Sequence, residues 1–298
     1  MTKKISFLSV LLLIFCLAGP SWAFKTVVLM SSDIKPYEEA LQGFRSSCDC
    51  SAITISANGM DRSSVLDEIH SHHPDIVLAI GLDALSLVNN IRDLPVVYVM
   101  ITGPSPHGEG KSNISGVSMY VHPSSYFDAM TKLFPWAKRV GVIYDPGNSG
   151  AYVKEAAREA AARGIKLVAK EASTADAVPH LMDSMKDRID IFWMLPEAAL
   201  LNSATVDYML LFSFGNKVPI FTFSRRYMDM GAAAALTVSP FHMGVQAGLI
   251  ARKLKATGGT GQVLVDADAS GVLINRKVIE KLGVRYNKKT EGWAKDVD

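Results

Sequence analysis

The sequence predicts an α/β fold made of two doubly wound parallel-sheet lobes, and three observations lead to this prediction. Short β-branched or apolar runs alternate with amphipathic stretches along most of the chain. Several runs, including IVLAI at 76–80 and VVYVMI at 96–101, are apolar at every position, as expected for strands covered by helices on both faces. Without its first 23 residues the 298-residue chain keeps 275, which is long for one open sheet and suits two lobes.

Nine predicted strands mark this alternation. The helices between them carry signals of their own, such as Pro36 in a predicted first turn and Gly164 after an Ala-rich stretch. One series of strands extends to about Tyr120, and a second starts near Val140. The predicted strands are 26–30, 52–55, 76–80, 96–101, 140–144, 165–169, 189–195, 219–223 and 232–238.

The first 23 residues have the three parts of a signal peptide. Two lysines precede an apolar run at 5–18, and Ser21 and Ala23 are small residues of the kind that a signal peptidase recognises. The alternative is a retained membrane anchor, but the run is shorter than the ~20 residues that cross a bilayer. We therefore expect cleavage before Phe24 and export of a soluble chain to the periplasm.

The charge balance argues against nucleic acids and anionic membranes as partners. The chain has 31 Lys and Arg residues against 29 Asp and Glu residues. The predicted signal peptide contains two of the lysines and no acid, so the mature chain has no formal net charge. A neutral chain lacks the long-range attraction that draws a basic protein to polyanions. We predict no nucleic acid partner.

Cys48 and Cys50 are the two cysteines of the mature chain, and a single residue separates them. In an oxidising compartment they can pair. A ring closed across one residue is tight, and such a disulfide is easier to reduce. A local staple or two free thiols is favoured over redox catalysis, whose usual motif is Cys-x-x-Cys.

The usual motifs of enzymatic chemistry are missing from the sequence. The string GNSG at 147–150 lacks the spacing of a serine-hydrolase elbow, and neither H-E-x-x-H nor a G-x-G-x-x-G after a strand is found. His70, His72 and His73 cluster at a predicted helix end without one converging face, which favours a solvated helix terminus over a metal site. We predict no catalytic residue, no cofactor and no bound metal.

Polar and small residues follow many of the predicted strands, at the edge where open α/β sheets place their ligands. Hydroxyls both donate and accept hydrogen bonds, helix starts favour an anion, and Glu197 can pair with an ammonium. The alternative at the Ser, Asp and Asn positions is a helix N-cap, a role that suits neither Thr102 nor Glu197. The strand-end residues are Ser31, Ser32, Gly81, Leu82, Asp83, Thr102, Asp145, Asn148, Ser149, Pro196, Glu197, Ser224 and Arg225.

Eight segments together resemble the ABC transporter substrate-binding proteins related to tryptophan and tyrosine uptake receptors. No segment is diagnostic alone, but in this order they cover nearly the whole mature chain. The segments are HPDIVLAIGLDAL at 73–85, LPVVYVMITGP at 94–104, NISGVSMY at 113–120, FPWAKRVGVIYDPGNSG at 134–150, FWMLPEAALLN at 192–202, VPIFTFS at 218–224, GAAAALTVSPFHMGVQAG at 231–248 and VLINRKVIEKLGV at 272–284.

The resemblance implies a type I periplasmic binding fold, in which the chain crosses between the lobes three times and the lobes close on a ligand. The crossings are expected near residues 120–123, 238–240 and 267–271. The implied lobes are residues 24–120 plus 240–268, and residues 121–239 plus 269–298.

The resemblance also assigns the ligand contacts position by position. The chain has Gly81-Leu82 where the family commonly has Gly-Thr, and Glu197 where it often has Asp. Loss of that hydroxyl changes the hydrogen bonds available to a ligand carboxylate. The implied contacts are Ser31, Ser32, Gly81, Leu82, Asp83 and Thr102 in the first lobe, and Asn148, Ser149, Pro196, Glu197 and Ser224 in the second.

These observations lead to one functional hypothesis. The chain is expected to be the periplasmic component of an ABC importer that binds a small amino acid-like or carboxylated ligand, such as an aromatic or other amino acid, without chemistry. It would present this ligand to an ABC permease in the inner membrane. The alternative is a sensory protein of the same fold that reports to a membrane kinase or chemoreceptor, and a secreted hydrolase is a more distant one.

Overall fold

The structure is a computed structural model that describes residues 24–56, 59–101, 113–259, 261–290 and 292–297. The predicted signal peptide and Thr102 lie outside the described residues. Thirteen β-strands form two sheets in the described part, and ten α-helices cover them. None of these ten helices has the length and apolar character needed to cross a membrane.

All nine predicted strands are present, with ends that differ from the prediction by at most two residues. The strands are β1 Phe24–Met30, β2 Cys50–Ser56, β3 Ile76–Ile80, β4 Val96–Val99, β5 Ile114–Ser118, β6 Arg139–Tyr144, β7 Lys166–Glu171, β8 Ile191–Trp193, β9 Ile220–Thr222, β10 Ala234–Val238, β11 Leu264–Asp266, β12 Ala269–Ile274 and β13 Ala294–Asp296. The helices are α1 Lys35–Ser47, α2 Arg62–Ser71, α3 Leu82–Val88, α4 Pro123–Leu133, α5 Pro146–Ala162, α6 Val178–Ser184, α7 Ser203–Asn216, α8 Arg225–Met230, α9 Pro240–Ala256 and α10 Arg276–Leu282.

The first sheet has the strand order β11-β5-β4-β3-β1-β2, and its described strand pairs are parallel. Every residue of β3 is buried, as an apolar strand in the middle of a covered sheet must be. Val28 and Leu78 enter the core on one face of the sheet, whereas Val27 and Val77 enter the core on the other. Helices therefore pack on both faces.

The second sheet has the order β13-β12-β10-β9-β8-β6-β7. The predicted fold of two α/β lobes is confirmed, with one difference: β12 runs antiparallel to β10. The reason is topological, because β10 ends at Val238 where the chain leaves the second sheet, and β12 begins at Ala269 where it returns. These two residues are paired in the sheet, so the strands run in opposite directions away from one junction.

The chain passes between the sheets at three places. The first is residues 119–122 between β5 and α4, the second is Ser239 between β10 and α9, and the third is residues 267–268 between β11 and β12. The Ala267 N–H donates to the carbonyls of Ser118 and Tyr120 at 3.1 and 3.0 Å, so the first and third passages are hydrogen-bonded to each other.

Helix α9 follows a strand of the second sheet but packs on α1 of the first. Their backbones approach closely because glycines stand at the contact. A Cβ atom on Gly43 would lie 1.9 Å from the carbonyl oxygen of Phe241, and one on Gly244 would lie 1.9 Å from that of Ala40. A Cβ atom on Gly248 would likewise lie too close to the Ser47 hydroxyl oxygen, at 2.1 Å. The packing of the two helices therefore excludes any residue larger than glycine at these three positions.

A disulfide joins Cys48 to Cys50 between α1 and β2. Cys48 is fully buried against the first-lobe core. The single residue inside the ring, Asp49, has a positive φ of 53°. The pair therefore holds a left-handed turn that an acidic residue adopts more readily than most other side chains.

Candidate functional site

The strand-end residues stand at the carboxyl ends of their strands. Ser31 and Ser32 follow β1, and Gly81 begins the turn from β3 into α3. Asn148 and Ser149 lie in the first turn of α5 after β6, and Glu197 follows β8. In an open α/β sheet this edge is where a ligand is bound.

A tight turn at Gly81 organises the first-lobe part of the site. Gly81 has a φ of 92°, and the Ser31 hydroxyl accepts a hydrogen bond from the Ala84 N–H at 2.9 Å. A Cβ atom at position 81 would lie 2.5 Å from Ser31 Oγ and 2.7 Å from the Tyr37 hydroxyl. The glycine is thus required both by its backbone conformation and by the two side chains that close over it.

Gly81→Ala should weaken ligand binding by about tenfold, because Ser31 and Tyr37 must move and the residue must hold a strained φ, at a cost of roughly 1–3 kcal/mol. Isothermal titration with amino acids, the ligand class that the sequence predicts, measures the change. Gly283→Ala is the matched control, since Gly283 also has a positive φ, 68°, but no atom lies within 4 Å of the added Cβ. Equal affinities for the two variants would show that the turn does not shape the site.

Large apolar side chains are exposed near the strand ends of the first lobe. Ile34 and Leu82 are 46% and 48% exposed, although both are large and apolar. Tyr37 is half-buried, and burial together with the charge of Asp83 raises its pKa, so its hydroxyl stays neutral. The first-lobe surface at the strand ends therefore combines two serine hydroxyls with apolar and aromatic area that a bound molecule can cover.

Glu197 is the centre of the second-lobe part of the site. Its side chain is 1% exposed. Oε1 accepts hydrogen bonds from the Ser149 hydroxyl and, at 3.3 Å, from the Asp145 N–H, while Oε2 accepts one from Asn148 Nδ2 at 2.5 Å. The adjacent residues Asn148 and Ser149 are thus brought together with Glu197, which lies 49 and 48 residues further along the chain.

Glu197 forms no ion pair in the described part of the chain. Burial raises the pKa of its carboxyl, the hydrogen bonds from Ser149, Asn148 and Asp145 lower it, and the charge of Asp145 raises it; the net shift is upward. A buried carboxylate normally has a cationic partner or a metal. The described residues therefore supply Glu197 with hydrogen-bond donors but with no positive charge.

The amide oxygen of Asn148 is a hydrogen-bond acceptor without a donor among the described residues. This oxygen, Oδ1, is buried and accepts no hydrogen bond from the residues that the structure describes, whereas the amide nitrogen Nδ2 reaches both Glu197 and, at 3.5 Å, the hydroxyl of Tyr120. A buried acceptor without a donor is uncommon in a folded protein. Beside a carboxylate it completes a pair of acceptors suited to a ligand with several N–H donors, such as an ammonium.

Aromatic rings form a cluster near Glu197. Tyr120 and Tyr152 have their ring centroids 4.6 Å apart, and Tyr152 lies 5.9 Å from Trp193. Tyr126 packs on Trp193 at 4.8 Å. Burial raises the pKa of the Tyr120 hydroxyl in this cluster, and Tyr120 lies close enough to Glu197 for the charge of the glutamate to raise that pKa further.

Two of the predicted contacts act as helix caps. The Ser31 hydroxyl holds the start of α3, and the Ser224 hydroxyl accepts from the Arg226 N–H at 3.3 Å at the start of α8. Ser224 makes no hydrogen bond to the Glu197 cluster in the described residues. Pro196 is buried beside Glu197, whereas Asp83 and Leu82 are exposed.

Sequence reasoning missed the aromatic residues of the site. Tyr37 lies in the first turn of α1, the helix that follows β1, and Tyr152 lies in the second turn of α5. A search limited to the residues directly after each strand passes over both. A search extended into the first two turns of the helix after each strand would have found both residues.

The three clustered histidines do not converge. His70 forms hydrogen bonds with Asp93 and with a backbone carbonyl, and His72 bonds to Glu68. His73 bonds to the carbonyl of His70. No group of three or more His, Cys, Asp or Glu residues in the described ranges is arranged to hold a metal ion.

Comparison with known proteins identifies the family. The model of the ABC transporter substrate binding proteins matches residues 53–297. A tyrosine-binding protein of Clostridioides difficile is 25% identical over 232 residues, which cover 74% of this chain and 67% of that protein.

Solved structures support the fold. The ABC domain from Streptococcus pneumonia in complex with L-Trp has a TM-score of 0.65 at 19% identity and covers 93% of this chain and 100% of its own. The ligand-free, open structure of a substrate-binding protein with adhesive properties from Clostridium difficile has a TM-score of 0.70 at 18% identity, with coverages of 93% and 99%. Because the family model spans most of its length, the chain belongs to the ABC transporter substrate-binding proteins, which bind their substrates without chemistry.

Proposed function

We propose that this chain is the solute-binding component of an ABC importer and that its ligand is an amino acid held between the lobes. The observation that carries the proposal is the buried Glu197 carboxylate without a cationic neighbour among the described residues. A buried charge is stable when it is paired and hydrogen-bonded. The ammonium of an amino acid supplies the missing charge, and Asn148 Oδ1 accepts one of its other hydrogens.

The side chain of the ligand is aromatic or large and apolar. Ile34, Leu82 and Tyr37 offer apolar surface on the first-lobe side, and covering such surface contributes roughly 25 cal/mol per Å². The similar proteins are named for tyrosine or were solved with L-Trp, which supports these two amino acids as the first candidates.

The carboxylate of the ligand meets the first lobe. Hydroxyl and backbone N–H groups suit a carboxylate, and Leu82 adds apolar contact in place of a hydroxyl. The contact set that we propose is Ser31, Ser32, Gly81, Leu82, Asp83 and Thr102 from the first lobe, with Asn148, Ser149, Pro196, Glu197 and Ser224 from the second.

Closure and delivery complete the proposal. Residues 24–120 plus 240–268 form one lobe and residues 121–239 plus 269–298 the other, and the ligand favours the closed arrangement because it contacts both. The signal peptide directs the chain to the periplasm and is removed by cleavage before Phe24. In the periplasm, the bound ligand is passed to an inner-membrane permease.

Ligand stripping followed by titration tests the proposal. The protein is unfolded in guanidinium chloride, dialysed and refolded, then titrated by calorimetry with the common amino acids. We expect L-tyrosine or L-tryptophan to bind with micromolar or higher affinity and to be recovered unchanged by mass spectrometry. Failure of every amino acid to bind, or chemical conversion of the bound ligand, would overturn it.

Binding should weaken in acid. The raised pKa of Glu197 in the ligand-free protein means that protonation competes with the ligand ammonium at a higher pH than it would at an exposed glutamate. Once the pH falls below this raised pKa, we expect the dissociation constant to rise by up to about tenfold per pH unit. Calorimetric titration between pH 8 and pH 4 measures this, and the Glu197→Gln variant should lack the dependence.

A further inference from the structure

The first passage between the lobes is attached to the ligand site through one side chain. Tyr120 lies in residues 119–122, between strand β5 of the first sheet and helix α4. Its carbonyl accepts a hydrogen bond from Ala267 of the third passage at 3.0 Å. The backbone of Tyr120 therefore belongs to the segments that must bend when the lobes move.

The side chain of Tyr120 contacts the second lobe. Its ring packs on Tyr152 of α5 with centroids 4.6 Å apart, and the Tyr152 hydroxyl donates to the carbonyl of Val121 at 2.7 Å. Its hydroxyl lies 3.5 Å from Asn148 Nδ2. Burial and the charge of Glu197 raise the pKa of Tyr120, so the hydroxyl is neutral at physiological pH.

Asn148 is shared between this hydroxyl and the ligand site. One amide nitrogen serves Glu197 Oε2 at 2.5 Å and Tyr120 at 3.5 Å, so the second contact is the weaker one. A ligand ammonium that binds the Glu197 carboxylate competes with this amide. The amide then no longer has to hold both contacts at once, so its other N–H can approach the Tyr120 hydroxyl more closely.

We propose that Tyr120 is a positioning residue that couples occupation of the Glu197 site to closure of the lobes, an inference that rests on the proposed function. Glu197 and Asn148 contact the ligand amine. A movement of Asn148 changes its hydrogen bond to Tyr120, whose backbone is part of the first passage. Coupling of this kind requires that the ligand-bound and ligand-free forms differ in a specific contact, and the Asn148–Tyr120 bond is that contact.

Tyr120→Phe removes the hydroxyl and keeps the ring that packs on Tyr152. At saturating L-tyrosine or L-tryptophan, we expect the wild-type protein to become more compact in small-angle X-ray scattering and the variant to show half of this change or less. The dissociation constant from calorimetry should rise about 2- to 10-fold, as expected for loss of one hydrogen bond.

The matched control is Tyr208→Phe. Tyr208 is a partly exposed residue of α7 whose hydroxyl donates to Asp183 at 2.7 Å, outside the cleft. This variant should compact and bind like the wild type. The thermal midpoint of the ligand-free Tyr120→Phe protein should stay within a few degrees of the wild type, which separates a positioning role from a general loss of stability.

The outcomes distinguish the two proposals. If the wild type binds and compacts while Tyr120→Phe does the same to the same extent, the role of Tyr120 is wrong and the proposed function stands. If the wild type binds none of the amino acids, both are wrong. Reduced compaction in Tyr120→Phe, with normal compaction in Tyr208→Phe, supports the coupling.

Discussion

Glu197→Gln should weaken the binding of L-tyrosine or L-tryptophan by roughly 200- to 5000-fold, because removal of one partner of a buried ion pair costs about 3–5 kcal/mol. The substitution preserves the shape of the side chain and its hydrogen bond from Ser149. Asn148 can rotate its amide so that its unpaired Oδ1 accepts from the new Gln amide. Calorimetric titration measures the loss directly.

The same variant should be more stable than the wild type when no ligand is bound. The pKa of Glu197 is raised in the folded state, so the folded protein binds more protons than the unfolded chain between the ordinary glutamate pKa and the raised value. The free energy of unfolding therefore falls as the pH rises through that window. Glutamine does not titrate, so Glu197→Gln should lack this decrease in the free energy of unfolding. Urea unfolding of both proteins at pH 4 and pH 8 measures the difference.

Glu171→Gln is the control for both effects. Glu171 is an exposed residue of β7 that accepts a hydrogen bond from the Tyr144 hydroxyl at 2.9 Å. Its substitution should change neither affinity nor the pH dependence of stability by much. If Glu197→Gln behaved like Glu171→Gln, the buried carboxylate would not be the ammonium site.

Gly244→Ala should destabilise the first lobe by about 3 kcal/mol, at the upper end of the cost of overpacking a core contact. The new methyl group would lie 1.9 Å from the Ala40 carbonyl oxygen, which is backbone and cannot move aside without separating α9 from α1. Chemical unfolding followed by circular dichroism measures the change. Loss of this packing also shifts the second passage, since α9 begins directly after it.

Gly215→Ala is the matched control. Gly215 lies near the end of α7, and no atom lies within 4 Å of its added Cβ. Alanine is the better helix former by up to ~1 kcal/mol, so this variant should be neutral or slightly more stable. A similar loss in both variants would mean that the α1–α9 contact tolerates a methyl group.

Local sequence pattern predicted the sheets because buried strands of this fold are apolar at every residue. β3 is the clearest case, since the prediction matched its ends. The pattern did not predict four strands, β5, β11, β12 and β13. The last three are short or partly exposed, whereas β5 is buried but contains a glycine and two serines among its five residues. The antiparallel direction of β12 follows from where the chain returns to the second sheet, which no local pattern encodes.

The candidate site was predictable in position but not in its contacts. The rule that ligands bind beyond the carboxyl ends of parallel strands singled out Asn148, Ser149 and Glu197. That these three residues touch, and that Glu197 has no cationic neighbour among the described residues, depends on how α5 meets the end of β8. The attachment of Tyr120 to Asn148 likewise depends on tertiary packing between a passage and a helix.

The most direct test of ammonium binding by Glu197 compares L-tyrosine with 3-(4-hydroxyphenyl)propionate, which has the same carboxylate and ring but no ammonium. Calorimetric titration of both ligands into the wild type and Glu197→Gln gives a thermodynamic cycle. If Glu197 binds the ligand ammonium, the wild type should strongly prefer L-tyrosine, Glu197→Gln should lose most of that preference, and the coupling free energy should reach about 2 kcal/mol or more. A coupling free energy near zero, with both ligands weakened equally by the substitution, would contradict the account.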